Sequence, residues 1–244
     1  VHLVNYRRVM LKISGEALMG DRDFGIDPDT ISQVAQQISK ASQKDIQIAV
    51  VVGGGNFWRG QSAAETGMDR ATADYAGMLG TVINALALQD SLEKVGCEVR
   101  TQTALPMAQI AEPYIRRRAI RHLEKNRAVI FAAGTGNPFM TTDTAAALRA
   151  IEVECNILLM AKQGVDGIYS ADPAKNKDAK LYSKITHMDA LQQRLEVMDS
   201  TALSLCMEHD LPISVFDVRK KDNIRKAIAG GNIGTLVTSQ TDIG

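Results

Sequence analysis

Ile48–Gly60 reads IAVVVGGGNFWRG, and the fold turns on how that stretch is interpreted. Ile48 to Val52 is an unbroken apolar run rich in β-branched residues. It suits a strand buried on both faces, as in a parallel sheet. Gly53, Gly54 and Gly55 stop it. Residues without a Cβ let the backbone turn sharply and bring its N–H groups close to a ligand. A strand followed by such a loop is where α/β sheets bind phosphates, at the carboxyl ends of the strands. Arg59 lies within reach of an anion held there. Glycine triplets are also ordinary loop punctuation, so this stretch alone leaves phosphate binding and a plain loop as equals.

Upstream, Arg8 to Ile13 (RVMLKI) reads as a first strand ending at Ser14-Gly15. Lys12 is either a snorkelling edge lysine or a phosphate-binding lysine at the strand's carboxyl end. The adjoining Ser14-Gly15 repeats the strand-then-glycine logic and favours the second. Gly20 to Gly25, GDRDFG, is a polar surface loop. Asp27-Pro28 starts a helix, an N-cap followed by proline at the first helical position. Ile31, Val34, Ala35 and Ile38 then share one face. This helix leads into a strand over Ile46 to Val52, so the chain opens β-α-β, the unit that makes parallel sheets.

Downstream, a helix is expected from about Thr72 to Val95, with Met78, Leu79, Val82, Ile83 and Leu86 as its apolar stripe and Gly96 as its stop. Asp74, placed on its first turn, either complements the helix N-terminus or accepts hydrogen bonds from ligand hydroxyls, and position alone favours the first. Cys97 to Thr103 is a strand and Pro106 to Pro113 a loop. The next helix carries Arg116, Arg117, Arg118 and Arg121. It reads as a solvated face or a subunit contact in preference to a nucleic-acid patch.

Ala128 to Ala133 makes the second strand–glycine–helix junction. It stops at Gly134-Thr135-Gly136-Asn137-Pro138, and Phe139-Met140-Thr141-Thr142-Asp143 leads into TAAALRAI. Thr135, Thr141 and Thr142 offer hydroxyls, and free N–H groups at the helix start attract anions. Thr142 or Asp143 is the expected N-cap, and a carboxylate there also suits Mg²⁺. The strand Ile157 to Ala161 runs into a loop from Lys162 to Pro173. There Lys162 is placed to neutralise a transferring phosphoryl group and Tyr169 to stack on a base. The same loop holds the plain turn signals Val-Asp-Gly and Ala-Asp-Pro. Helices over Met188 to Leu195 and Thr201 to Met207, a strand over Pro212 to Val218, a helix over Asn223 to Ala229 and a strand over Gly234 to Thr238 complete an α/β chain. A single domain over residues 1–244 is expected.

Composition narrows the function classes. The 244 residues are 45% apolar and 23% charged, and Lys+Arg equals Asp+Glu at 28 each, so no global basic field marks a nucleic-acid or membrane binder. Cys97, Cys155 and Cys206 are odd in number and lack CxxC spacing, which fits reduced, mostly buried thiols and a cytoplasmic location. No run approaches the roughly 18 apolar residues of a transmembrane helix. The N-terminus, VHLVNYRR, is not expected to be a secretory signal. Gly55 and Gly60 have the Walker A gap, but Gln61 follows in place of Lys. Neither glycine loop is G-x-G-x-x-G, and the protein-kinase motifs are absent. The histidines, His2, His122, His187 and His209, have no HExxH spacing and no G-x-S-x-G accompanies them, so zinc sites and triads lack support. Two glycine loops with isolated lysines remain: a nucleotide- or phosphate-handling α/β protein.

Six ordered blocks go further. They are LKISGEAL (Leu11–Leu18), FGID (Phe24–Asp27), VVGGGNFWRG (Val51–Gly60), AGTGNPFMTTD (Ala133–Asp143), VDGIYSADP (Val165–Pro173) and VMDSTALSLC (Val197–Cys206). On these the chain resembles the bacterial uridylate (UMP) kinases of the amino acid kinase superfamily. The resemblance implies a three-layer αβα sandwich around a largely parallel sheet and Mg²⁺-dependent transfer of the ATP γ-phosphoryl group to UMP. It implies an N-terminal part that is mainly UMP-binding and a C-terminal part that is mainly ATP-binding. It assigns Lys12, Asp143 and Lys162 to catalysis. Lys12, Ser14, Gly15, Gly55, Arg59, Gln163, Tyr169 and Asp172 go to the ATP site. Gly54, Asp74, Thr135, Gly136, Asn137, Pro138, Phe139, Met140, Thr141 and Thr142 go to the UMP site. Gly20, Asp21, Arg22, Asp23, Phe24 and Gly25 overlie a stretch linked to GTP activation, with UTP a second candidate effector. A homohexamer is the implied assembly. The competing expectations are a uridine-nucleotide sensor without turnover and a sister kinase acting on a small acid.

Overall fold

The computed structural model describes residues 5–43, 45–173, 175–195 and 198–240. Val197 of the sixth block and the first four residues of VHLVNYRR lie outside them. The chain begins with β1 (Arg8–Ile13), a 3-10 turn (Gly15–Leu18), α1 (Pro28–Ser42) and β2 (Gln47–Val52). Then come α2 (Gly60–Glu65), α3 (Arg70–Lys94), β3 (Val99–Thr103), β4 (Glu112–Pro113), α4 (Arg116–Glu124) and β5 (Ala128–Ala132). The second half holds α5 (Thr142–Glu152), β6 (Ile157–Lys162), β7 (Lys184–Thr186), α6 (His187–Gln192) and α7 (Ser200–Glu208). It closes with β8 (Ile213–Asp217), α8 (Asn223–Ile228) and β9 (Thr235–Thr238).

Among the described residues, one sheet of nine strands runs in the order β4-β3-β5-β2-β1-β6-β8-β9-β7. Every pairing is parallel except β8 with β9. β1 lies in the middle, with Lys12 opposite Val51 on one side and Met160 on the other. The chain moves outward from β1 through β2, then crosses back past both to lay β6 on β1's other side. The carboxyl ends of β1, β2, β5, β6 and β8 therefore open on one edge of the sheet, where doubly wound sheets bind ligands.

Strand alternation sorts β1 between two cores. Val9, Leu11 and Ile13 pack with buried residues of α1, α3 and α8. Met10 packs on the opposite side with Ala146, Ala147 and Ala150 of α5 and with Ala202 and Leu203 of α7. Side chains two apart share a face, so Lys12 follows Met10 onto the α5 side. The small residues of α5 let that helix lie close to the sheet.

Expected elements shift where caps decide their ends. α3 starts at Arg70 instead of Thr72, because the Asp69 carboxylate accepts the Thr72 N–H at 2.8 Å. Asp74 is thus a full turn into the helix and not on its first turn. The N-cap of α5 is Thr141, not Thr142 or Asp143, since Thr141 Oγ1 accepts the N–H groups of both Asp143 and Thr144. Within the stretch expected to be loop, Glu112–Pro113 pairs with β3. The expected strand over Gly234 to Thr238 is β9 and runs antiparallel to β8.

The His187 ring is fully buried at the start of α6, with Nε2 3.0 Å from the Leu211 carbonyl. Burial holds its pKa below the ordinary histidine value. It therefore takes up its proton at a lower pH in the fold than in the unfolded chain, where a histidine titrates near about pH 6.5. The unfolded state then binds more protons, so stability falls as pH drops through that value. The melting temperature is expected to decline from pH 7.5 to 5.5, and less so in a His187→Gln variant, in parallel thermal melts.

Candidate active site

The loops leaving β1 and β2 meet backbone to backbone at the carboxyl edge of the sheet. The Gly53 N–H donates to the Ile13 carbonyl at 2.8 Å, extending the β1–β2 ladder past the strand ends. A Cβ on Gly53 would lie 2.8 Å from the Gly15 nitrogen, and one on Gly15 would lie 2.7 Å from the Gly55 nitrogen. A Cβ on Gly54 would strike the Gly77 carbonyl of α3 at 2.6 Å. These glycines are required by backbone packing.

A buried amide pair pins the loop from below. Asn84 Nδ2 donates to the Gly53 carbonyl at 2.7 Å and to Asn56 Oδ1 at 2.6 Å. Asn56 Nδ2 donates back to Asn84 Oδ1 at 3.0 Å and to the Gly25 carbonyl at 2.8 Å. The Gly25 N–H in turn donates to the Asn56 carbonyl at 3.0 Å. The Gly20–Gly25 loop is therefore fastened to the first glycine loop. Phe24 also meets Phe57 edge to face, with centroids 5.4 Å apart.

The second junction leaves β5 through two successive left-handed residues, Ala133 (φ 62°) and Gly134 (φ 57°). The Ala133 N–H is satisfied by Thr81 Oγ1 of α3 at 2.8 Å. The same helix thus supports both glycine loops. Between them lies a cleft lined by Gly54, Trp58, Asp74, Thr135, Thr141 and Thr142, among others. Met140 also faces it. Gly136 packs instead against Ala104, Asn137 is exposed and caps back onto Thr135, and Phe139 projects into solvent. Pro138 joins these last two, so the middle of the loop shapes the cleft's rim.

Charges around the cleft are paired. Lys12 Nζ is 2.8 Å from Asp143 Oδ1, joining the tip of β1 to the first turn of α5. The Arg70 Nε donates to both Asp74 oxygens, at 2.9 and 3.0 Å. The Phe139 N–H donates to Asp74 Oδ2 at 2.8 Å, tying the second loop down to α3. Arg59 Nη2 is 2.8 Å from Glu16 Oε1. Asp199, the N-cap of α7, accepts from Thr141 Oγ1 and Thr144 Oγ1, so the N-termini of α5 and α7 converge.

Lys162 ends β6 on the same face as Lys12, two residues beyond Met160. With Tyr169 and Asp172 it lines a neighbouring cavity walled by Val165 to Pro173 and by Gln193 to Leu195. Gln163 does not join them. It lines a separate cavity with Gly20, Asp21, Arg22 and Lys220. Among the described residues, no group of three or more His, Cys, Asp or Glu side chains is arranged to hold a metal ion.

The amino acid kinase family model matches residues 7–217. The chain belongs to the amino acid kinase family. Solved structures of family members superpose over nearly its whole length. A UMP kinase from Bacillus anthracis is 40% identical with a TM-score of 0.94, covering 98% of each chain. A UMP kinase from Ureaplasma parvum is 39% identical with a TM-score of 0.90, covering 96% of this chain and 100% of that one. A uridylate kinase from Archaeoglobus fulgidus is 27% identical with a TM-score of 0.73, covering 94% and 99%.

Glu16, Asn56, Arg70, Thr81, Asn84 and Asp199 were not singled out by the sequence reading. Arg70 and Asp74 have the i, i+4 spacing of a helical ion pair. Asn84 is an amide inside the apolar run Val82–Ala85, a polar group that needs a buried partner. Asp199 precedes Ser200-Thr201 as N-caps do. Glu16 and Arg59 are 43 residues apart and carry no local signal of their pairing.

Replacing Gly54 by alanine should destabilise the protein by about 1–3 kcal/mol, since the opposing atoms are backbone and cannot step aside. Urea unfolding of wild type and Gly54→Ala checks it, and equal midpoints would contradict the packing argument.

Proposed function

We propose that this chain is a UMP kinase, transferring the γ-phosphoryl group of ATP to UMP to give UDP and ADP. The observation that carries the reading is the single cleft lined by Gly54 and Thr142, with the Lys12–Asp143 pair beside it. One glycine loop and one helix N-terminus converge there, each suited to an anionic group. The kinship with UMP kinases at 40% identity names the acceptor.

In this reading the acceptor occupies the cleft between Gly54, Asp74 and Thr135–Thr142. The donor lies along Lys12, Ser14, Gly15, Gly55 and Arg59, with its base toward Tyr169 and Asp172 and away from Gln163, which lines the other cavity. Asp74 already accepts from Arg70 on both oxygens and from Phe139 on one, which leaves one of its roughly four lone-pair sites for a ribose hydroxyl. Mg²⁺ enters with ATP as part of the substrate and neutralises phosphate charge. The protein need supply few ligands to such an ion, and Asp143 is the carboxylate on hand.

Phosphoryl transfer asks the protein chiefly to position two anions and neutralise charge as the group moves. The acceptor oxygen of UMP is already anionic, so no strong base is needed. Lys12 and Lys162 share one face of adjacent strands and stabilise the transferring group. Asp143 fixes the Lys12 ammonium at the end of an otherwise apolar strand.

The exposed apolar residues Tyr75, Leu79 and Ile83 recur at helical spacing on α3 and support self-association, with a homohexamer the proposed form. The reciprocal bonds between Gly25 and Asn56 support a response to GTP or UTP through the Gly20–Gly25 loop. Among the described residues no helix is long and apolar enough to cross a membrane. A cytoplasmic site of action is part of the proposal.

An ADP-release assay with ATP and, separately, UMP, CMP or glutamate is expected to show turnover with UMP. Binding of UMP without ADP release would make the chain a sensor, and turnover with glutamate alone a sister kinase. Lys12→Ala should lower turnover about 10²–10³-fold, the scale of losing one electrostatic stabiliser. Near-normal turnover in that variant would remove Lys12 from the mechanism.

A further inference from the structure

Around the glycine loops, Lys12, Arg70 and Arg59 are each held by a carboxylate of the same chain: Asp143, Asp74 and Glu16. The first two carboxylates already belong to the proposed site. Glu16 does not. It sits in the 3-10 turn directly after Ser14-Gly15, where the turn carries its side chain back over the first glycine loop. Its Oε1 is 2.8 Å from Arg59 Nη2, and a Cβ on Gly55 would come within 2.2 Å of the same oxygen. The carboxylate therefore fills the crook between the glycine loop and its arginine, where backbone and cation together favour an anion.

We propose that Glu16 is an affinity-setting residue whose carboxylate stands in for a nucleotide phosphate and must leave Arg59 when that phosphate arrives. The proposal rests on the kinase reading above. A guanidinium binds carboxylate and phosphate through the same planar fork, and a nucleotide phosphate brings more charge and more acceptor oxygens than a carboxylate. The Arg59 side chain is 63% exposed and that of Glu16 27%, so exchange takes place in water and neither ion is stranded. An exposed pair of this kind is weak, which makes it a bias on affinity instead of a block. The pairing keeps Arg59 folded over the loop.

The test compares wild type with Glu16→Gln and Glu16→Asp, alone and in an Arg59→Gln background. Glu16→Gln removes the competing charge, and Glu16→Asp keeps it but withdraws it by one methylene. Both should lower the KM for one nucleotide about two- to five-fold, the scale of losing an exposed ion pair, with kcat within two-fold. A fall for ATP puts Arg59 on the donor side, and a fall for UMP on the acceptor side. In the Arg59→Gln background the Glu16 substitutions should change KM by less than about 1.5-fold, as coupled partners require. An unchanged or raised KM in both single variants overturns the proposal, as does an equal fall without Arg59, which would signal only general charge repulsion. Calorimetric dissociation constants for ATP and UMP give the same comparison without turnover. Failure of the wild type to convert UMP would sink the kinase reading and leave the Glu16 result to be judged on binding.

Discussion

The arrangement depends on one steric condition: the loops leaving β1 and β2 touch backbone to backbone. Gly15 and Gly53 leave no room for a side chain on either partner, and Gly54 imposes the same closeness on α3 at Gly77. Parallel neighbours bring their carboxyl ends to the same edge, but ordinary residues there would hold the following loops apart. With the glycines in place, Lys12, the first glycine loop and the start of α5 gather around one cleft. The Asn56–Asn84 pair, itself buried, stabilises the same contact by satisfying the Gly53 carbonyl.

Electrostatics then follow from geometry. Alternation along β1 sends Lys12 to the α5 side, and the Thr141 cap leaves the Asp143 carboxylate available to meet it. Had Asp143 served as the cap, its oxygens would have been spent on backbone N–H groups. The anion-attracting end of α5 is further fixed by Asp199, which binds two threonines of one helix while capping another. The site is built from pre-oriented parts held by groups outside the cleft, as a reaction governed by positioning requires.

The buried strands were legible because β1, β2, β5 and β6 are mostly apolar runs ended by glycine, by serine-glycine or by a lysine. The glycine loops stood out as strand-to-helix junctions for the same reason, though the glycines alone left phosphate binding and a plain loop as equals, and the six sequence blocks supplied the family. What could not be read depends on partners distant in the chain. The three-residue β7 exists only through its pairing with β9. α2 has no apolar periodicity and begins at a glycine. The link between Glu16 and Arg59, and the separation of Gln163 from Tyr169, are products of the fold and of no local pattern. The Asp27 cap of α1 was legible, but that of α5 was missed by one or two positions, because Thr141, Thr142 and Asp143 are all good caps and only the backbone angles choose among them.

The two borders of the sheet bear on how copies can meet. β4 contributes two residues and β7 three. Strands so short offer almost no row of open N–H and C=O groups on which a foreign strand could grow. Among the described residues, neither border strand is long enough to serve as a template for extension. Any lasting union between copies is left to the flanks, where helices present side chains and not backbone, and where its geometry can be tuned residue by residue without disturbing the nine strands within.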